Sequence, residues 1–322
     1  MEALPSFDSH ARVLPCSPRK RFSAKWQLLE YFISLPIPHI LHYGKVEESP
    51  KGLGPVIIME HISNEGDFND TLYVPGRSRD ERPILNPNVS QERLECVYGQ
   101  MVDIMLQVSK HSFAEIDCIG KANEDDEIDD TWVVEHRPLT FNINELVQLG
   151  GVSPDLLHQG TPENVLSNAQ HQMNGVLDWE FTYAAPTGFA YSPPFCLLLE
   201  LPELWKQGLD DWSARYEKVL PVFLKVLKDK EQGAIDRGIM KGSDRLSGYM
   251  LKSWESGDFW LDYAARKSWA FDMIYWAKID RRYFGNGNLS GRVKLLTPDG
   301  RAEMEGFVQM KLKAEEEGGL PD

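Results

Sequence analysis

PENVLSNAQHQMNGVLDWEFTYAAP, residues 162–186, is the stretch on which the fold turns. Val165 and Leu166 read as one short strand and Met173 to Leu177 as the next. The polar residues Asn168-Ala169-Gln170-His171-Gln172 make the turn between them. A hairpin centred near residue 171 sets Asn164 roughly opposite Asp178, since strand residues equidistant from a turn face each other. An amide oxygen beside a carboxylate suits a hard cation such as Mg²⁺. The same two residues serve equally well as a turn cap (Asn164) and a helix cap (Asp178), and spacing alone leaves both readings open.

Upstream, residues 1–22 read as an irregular arm, and Ala24 to Ser34 (AKWQLLEYFIS) as a helix stopped by Pro36 and Pro38. Ile40 to Tyr43 and Val56 to Met59 are candidate strands of a hairpin, with GPVIIMEHI as its buried second strand. Asn64 to Pro87 is rich in Gly, Pro, Asp and Asn and reads as a connection. Gln91 to Lys110 is the first long helix, with Leu94, Val97, Met101, Ile104, Met105 and Val108 as its apolar stripe. The acidic run Glu124 to Asp130 reads as a solvated loop.

Downstream, a proline-punctuated segment, YSPPFCLLLELPELW, leads to a helix over Asp211 to Lys230. A last helical region spans roughly Asp258 to Tyr283. Leu261, Ala265, Trp269, Met273, Trp276 and Ile279 form its expected core side, flanked by Trp260 and Phe271. The expected class is α+β: a reduced N-terminal lobe over 1–63, with one helix and a strand pair, and a mainly helical lobe over 64–322 carrying the hairpin.

The 322 residues carry a net charge of −15, which argues against a nucleic-acid backbone or an anionic membrane surface as partner. Phe195 to Leu199 is the longest apolar run, far short of a membrane span. Cys16, Cys96, Cys118 and Cys196 are scattered without a CxxC pair, as suits reduced thiols, and the N-terminus lacks the apolar core of a signal peptide. A cytoplasmic protein is the expectation.

Several stretches together resemble the aminoglycoside phosphotransferase family in its fungal form: LPIPHILHYG, GLGPVIIMEHI, YGQMVDIMLQVSKHSFAEI, RPLTFNINELVQLGGV, ENVLSNAQHQMNGVLDWEF, YSPPFCLLLELPELW and SWESGDFWLDYAARKSWAFDMIYW. They run in family order from about residue 24 to 285. The resemblance implies a protein-kinase-like fold, as in choline kinases, and ATP-dependent phosphoryl transfer to a small hydroxylated molecule. The negative charge would suit a cationic acceptor. LDWEF is similar to the family's metal-binding motif, which makes Asp178 a Mg²⁺ ligand and Asn164 the ligand of a second metal. Met59, Glu60, His61 and Ile62 match the hinge whose backbone would hold the adenine of ATP.

Parts that such chemistry needs are not found. No glycine precedes Gly44, so no glycine-rich loop can cover the phosphates. Lys20 and Lys25 sit outside any strand-like context, and Glu30 is the only acid in the first helix. The family's proton-accepting aspartate stands five residues before the loop asparagine; here that position is Gln159, with His158 beside it and Asp155 four residues further back. GVSPDLLHQGT is similar to a family segment that precedes several helices, and PENVL to the end of the catalytic loop. The chain passes from one to the other near Thr161-Pro162. The expectation is an aminoglycoside-phosphotransferase-like protein whose chemistry is lost or severely weakened; no catalytic residue is assigned. A non-catalytic, pseudokinase-like protein that binds a protein partner or nucleotide, and an incomplete gene product, are the alternatives.

Overall fold

The computed structural model describes residues 34–44, 56–76, 78, 81–111, 119–121, 132–134, 165–177, 185–267 and 270–316. The first predicted helix, the acidic run and the segment around Thr161-Pro162 lie outside the described residues. The α+β class and the mainly helical body expected from the sequence are observed. Two compact units divide the chain: Met1–Ile62 with Ser112–Leu139 and Leu177–Ala184, and Ser63–His111 with Thr140–Val176 and Ala185–Asp322.

In the first unit, β1 (Ile40–Gly44) pairs antiparallel with β2 (Val56–Met59), His42 opposite Ile58. The pairing extends past the strand, where the Glu60 N–H donates to the His39 carbonyl at 2.8 Å. The expectation that β2 is buried is corrected. Ile57, Ile58 and Met59 are all exposed. Successive strand residues point to opposite faces, so apolar side chains are partly exposed on both faces of this strand. A second pair in the same unit joins β4 (Ile119–Lys121) to β5 (Trp132–Val134), also antiparallel.

The second unit holds a three-stranded antiparallel sheet, β3 (Gly66–Asp67), β6 (Val165–Ser167) and β7 (Met173–Val176), with β6 in the middle. The segment expected as a bare connection carries β3 and a short helix, α1 (Phe68–Leu72), that leaves it through a capping box between Asp67 and Asp70. Phe68 and Leu72 are buried, which ties this polar stretch into the core.

The long helices are α2 (Gln91–Val108), capped by the Ser90 hydroxyl, and α4 (Leu209–Asp236); between them comes a short α3 (Thr187–Tyr191). Tyr98 meets Phe223 edge-on at 5.8 Å, and the Lys230 ammonium reaches Asp103 at 2.6 Å. Gly99 permits the approach, because a Cβ there would stand 3.3 Å from Lys230 Cε. This contact covers the middle of α2. Leu94, Val97, Tyr98 and Val102 are therefore buried, while the far end of the predicted stripe, Val108, is exposed.

Three aromatic side chains insert into the core and donate their polar tips to the segment 194–200. Tyr98 Oη reaches the Leu197 carbonyl at 3.0 Å, Tyr216 Oη the Pro194 carbonyl at 2.7 Å, and Trp212 Nε1 the Glu200 carbonyl at 3.1 Å. The segment forms only a short 3₁₀ turn, Phe195–Leu198, so carbonyls it leaves over are met by side-chain donors. Around Trp212 the rings of Tyr216, Trp254, Phe259 and Trp260 pack at centroid distances of 4.6 to 6.5 Å.

The last helical region departs from one continuous stripe. Helices α5 (Ser247–Ser256) and α6 (Asp258–Arg266) are followed by α7 (Phe271–Ile274), a π-helical turn (Tyr275–Ile279) and α8 (Asp280–Phe284). The helix stops at Lys267, and the wider π turn shifts the facing of α8. Phe259, Trp260, Tyr263, Ala264, Ala270, Ile274 and Ile279 are buried, whereas Phe271 and Met273 are exposed. Ala265, expected in the core, is exposed as well. The chain ends in α9 (Leu289–Val293) and α10 (Pro298–Glu316).

Candidate functional site

The hairpin expected from the sequence is present, and its turn is built by side chains. The Asn168 N–H donates to the Gln172 carbonyl at 3.0 Å and the His171 N–H to the Asn168 carbonyl at 2.9 Å. Asn168 Oδ1 accepts from the N–H groups of Gln170 and Gln172, both at 3.0 Å. His171 takes a left-handed backbone, φ 59°, where a side chain is strained. The pairing sets Val165 opposite Val176 and Leu166 opposite Gly175, then shifts so that Ser167 faces Met173. Val165, Ser167 and Val176 are buried, so the hairpin is seated in the body rather than projecting from it.

Two neighbouring elements hold the strained turn. Gln100, at mid-length on α2, donates from Nε2 to the His171 carbonyl at 2.8 Å and accepts the Met173 N–H at Oε1, 2.5 Å away. Its amide thereby fills both free bonding positions beside the turn, as a neighbouring strand would. Thr71 of α1 places Oγ1 3.1 Å from His171 Nδ1 and also donates to the Asp67 carbonyl at 3.2 Å. Either atom of the Thr71–His171 pair can be the donor, according to the imidazole tautomer. On β7, Asn174 Nδ2 donates to the Ser63 carbonyl at 2.5 Å, and its Oδ1 is buried without a partner.

Of the residues named from sequence, Asn164 and Asp178 flank the hairpin but lie outside the described residues, as do Asp155, His158, Gln159, Lys20, Lys25 and Glu30. Met59, Glu60, His61 and Ile62 are described: the first three are exposed and Ile62 is half-buried. The Glu60 N–H is already committed to the His39 carbonyl. No group of three or more His, Cys, Asp or Glu side chains that could hold a metal occurs among the described residues.

Gln100 and Thr71 were not foreseen. Both are ordinary helix residues in sequence, and their partner His171 lies 71 and 100 positions away. Local pattern holds no signal for such a contact.

Other polar groups concentrate at the end of α6. Ser192 Oγ donates to Asp262, whose carboxyl is raised in pKa, chiefly by burial. Tyr263 Oη donates to Glu203. The Lys267 ammonium lies 5.2 Å from the centre of the Phe195 ring, and burial lowers its pKa to about 8. Burial raises the nearby Cys196 thiol to about 11, so it is not a nucleophile at neutral pH. Among the described residues no histidine completes a Ser-Asp pair here, and the cluster reads as a satisfied polar knot in the core. A cavity of about 420 Å³ lies apart from it, lined by Val74, Ile84, Leu85, Pro87, Glu81 and Arg215 among others. Arg215 is engaged there with Asp211 and the Trp205 ring, and the cavity presents no pair of metal-binding carboxylates.

No family model matches the chain, and no curated protein matches it by sequence. Among solved structures it is similar to a thermostable mutant of aminoglycoside phosphotransferase APH(4)-Ia in ternary complex with AMP-PNP and hygromycin B. That likeness covers 83% of this chain and 84% of that one, at 14% identity and a TM-score of 0.36. The apo form of such a mutant is similar over 83% and 85%, at 15% identity and a TM-score of 0.36. No described helix is long and apolar enough to cross a membrane.

Proposed function

We propose that the chain is an aminoglycoside-phosphotransferase-like protein of the protein-kinase-like fold that retains a nucleotide and metal end and has lost phosphoryl transfer. It acts by binding. In this reading Asn164 and Asp178 hold Mg²⁺ on the phosphates of ATP, the backbone at Met59, Glu60, His61 and Ile62 meets the adenine, and a small hydroxylated, cationic molecule is the ancestral acceptor. A protein partner takes the place of turnover in a pseudokinase-like role, in a cytoplasmic setting.

The observation that carries this is the hairpin. Val165 pairs with Val176, so the strand ends leading to Asn164 and Asp178 run side by side, and LDWEF comes directly after. Loss of the chemistry is argued from the residues. Gln159 stands where a base is required, and a general base is worth about 10²–10⁴-fold in rate. Residues 1–43 hold no glycine, so they supply no glycine-rich loop to clamp the phosphates.

Thermal unfolding with Mg-ATP tests the reading. A ligand at a hundred times its Kd adds about 2.7 kcal/mol by mass action, which raises Tm by several degrees. The rise should be seen in the native chain and be absent in Asp178→Ala. No phosphate should pass to a panel of amino alcohols above the Asp178→Ala control. A flat melt dismisses the nucleotide site; transfer above the control overturns the loss of chemistry.

A further inference from the structure

The cavity of about 420 Å³ beside the segment 73–87 lies within the second unit, and nothing proposed above uses it. Its volume falls in the range of about 300–1,000 Å³ found for small-molecule sites. One wall is firmly built. Tyr73 bridges Leu85, the Leu85 N–H donates to the Leu198 carbonyl at 3.0 Å, and the Asn86 N–H donates to the Leu72 carbonyl at 2.9 Å. Leu72, Leu85 and Leu198 are buried, so both ends of the segment are tied into the core. Between them the backbone turns at Gly76, φ 82°, a conformation that favours glycine. The apolar part of the lining comes from this segment: Val74, Pro75, Ile84, Leu85 and Pro87.

Arg215 of α4 supplies the cation. Its Nε donates to Asp211 Oδ2 at 2.9 Å, and Trp205 Nε1 donates to the same oxygen at 2.7 Å. The guanidinium carbon also stands 5.5 Å from the centre of the buried Trp205 ring. The group is thus held in place before any ligand arrives, and binding need not order it. Among the described residues neither terminal amino group of Arg215 has a hydrogen-bond partner. A carboxylate matches such an unused guanidinium edge in shape and charge, because it accepts two parallel N–H bonds. We propose that the cavity binds a small monocarboxylate with an apolar body. The carboxylate accepts from the terminal amino groups of Arg215, and the body lies against Val74, Pro75, Ile84 and Pro87. Glu81 also lines the cavity, and its carboxylate is hostile to a second acidic group, so dicarboxylates are refused. The site goes beyond the nucleotide reading and does not depend on it.

Ligand-observed NMR titration of the full chain with phenylacetate tests the proposal. Saturable binding at millimolar concentrations is expected. Phenylacetamide keeps the body and loses the charge, and phenylmalonate adds a second carboxylate; each should bind about tenfold more weakly or worse. Arg215→Gln should weaken phenylacetate by about tenfold or more, and Arg215→Lys, which keeps the charge without the fork, should fall between. The Arg215 side chain is 45% exposed, so the fold should stand, and a thermal melt checks it. Val74→Asp leaves Arg215 intact and sets a like charge in the apolar wall, so it should abolish binding by a separate route. No saturable binding of phenylacetate overturns the proposal. Equal affinity for phenylacetamide overturns the contact between carboxylate and guanidinium, and equal affinity for phenylmalonate overturns the part given to Glu81. Binding that survives both Arg215→Gln and Val74→Asp places the ligand elsewhere and overturns the site.

Discussion

The ring cluster around Trp212 and the β1–β2 sheet carry similar apolar content to opposite ends. Trp212, Tyr216 and Phe259 are almost fully buried, and the Trp212 and Tyr216 rings stack at 4.6 Å. The polar tips of Trp212 and Tyr216 each find a backbone carbonyl. In the sheet, Ile57, Ile58 and Met59 stand one after another in the open. Hydrophobic residues stabilise in proportion to the apolar surface they bury, so these three contribute less than the core rings. The Trp212 cluster is thus the firmly packed region, while the strand leading to the proposed adenine hinge buries less.

The widest separation between the two regions should appear in truncation. Trp212→Ala removes a fully buried side chain together with its bond to the Glu200 carbonyl, with an expected loss of about 3–5 kcal/mol. Ile58→Ala should stay within about 0.5 kcal/mol. Equal losses in urea melts would break the comparison, since they would mean that the outer face of β2 is covered in solution.

Next in size is Lys267, a buried ammonium that desolvation penalises. Its pKa falls from 10.5 to about 8, with desolvation as the main cause and attraction to Glu203 opposing it. Below pH 8 both folded and unfolded chains carry the proton, and the cost of burying it is fully present. Between pH 8 and 10.5 only the unfolded chain holds the proton, so stability rises with pH across that window. The shift corresponds to roughly 3 kcal/mol. Lys267→Met should melt higher than the native chain at pH 7 and lose most of that advantage by about pH 10. Above that, Tyr98, Tyr216 and Tyr263 act in reverse, because burial raises their pKa values and the unfolded chain loses those protons first. A gap that does not change with pH would show that Lys267 is not desolvated.

Glu231 is the satisfied counterpart. Fully buried, it accepts the Leu246 and Ser247 N–H groups at 2.6 and 2.9 Å and the Ser247 hydroxyl at 2.5 Å, and so caps α5. Glu231→Ala leaves buried donors unmet and should cost about 2–3 kcal/mol in a urea melt, with Glu231→Gln recovering part of it through its single carbonyl oxygen.

Legibility in the sequence tracked the range of the interactions. Strands at 40–44, 56–59, 165–167 and 173–176 and the helices 91–108 and 209–236 rest on local pattern, and they were readable. Burial was not readable where a distant element decides it. Ile57, Ile58 and Met59 look like core strand residues and are exposed. The stripe from Leu261 to Ile279 assumed one unbroken helix, which the stop at Lys267 and the π turn at Tyr275–Ile279 do not provide. The hairpin and its polar turn could be seen in the sequence. The groups that hold that turn could not, since Gln100 and Thr71 reach it from helices read as packing elements only.

Gln100 therefore gives the smallest expected effect and the sharpest one for the site. Gln100→Ala frees the Met173 N–H and the His171 carbonyl, both half-buried, at a cost of about 1–2 kcal/mol. That loss should be local: faster amide exchange at Met173 and in the turn 168–172, and little change around Trp212, which shares no partner with it. Gln100→Glu keeps an acceptor for Met173 but turns a carboxylate oxygen toward the His171 carbonyl, so it should loosen the turn as well. If the Mg-ATP thermal rise exists, it should shrink in both variants, because the strands that lead to Asn164 and Asp178 are then less firmly registered. Exchange that rises uniformly through the body would mean that the amide supports the α2 packing, and the hairpin would have to be held by its strands alone.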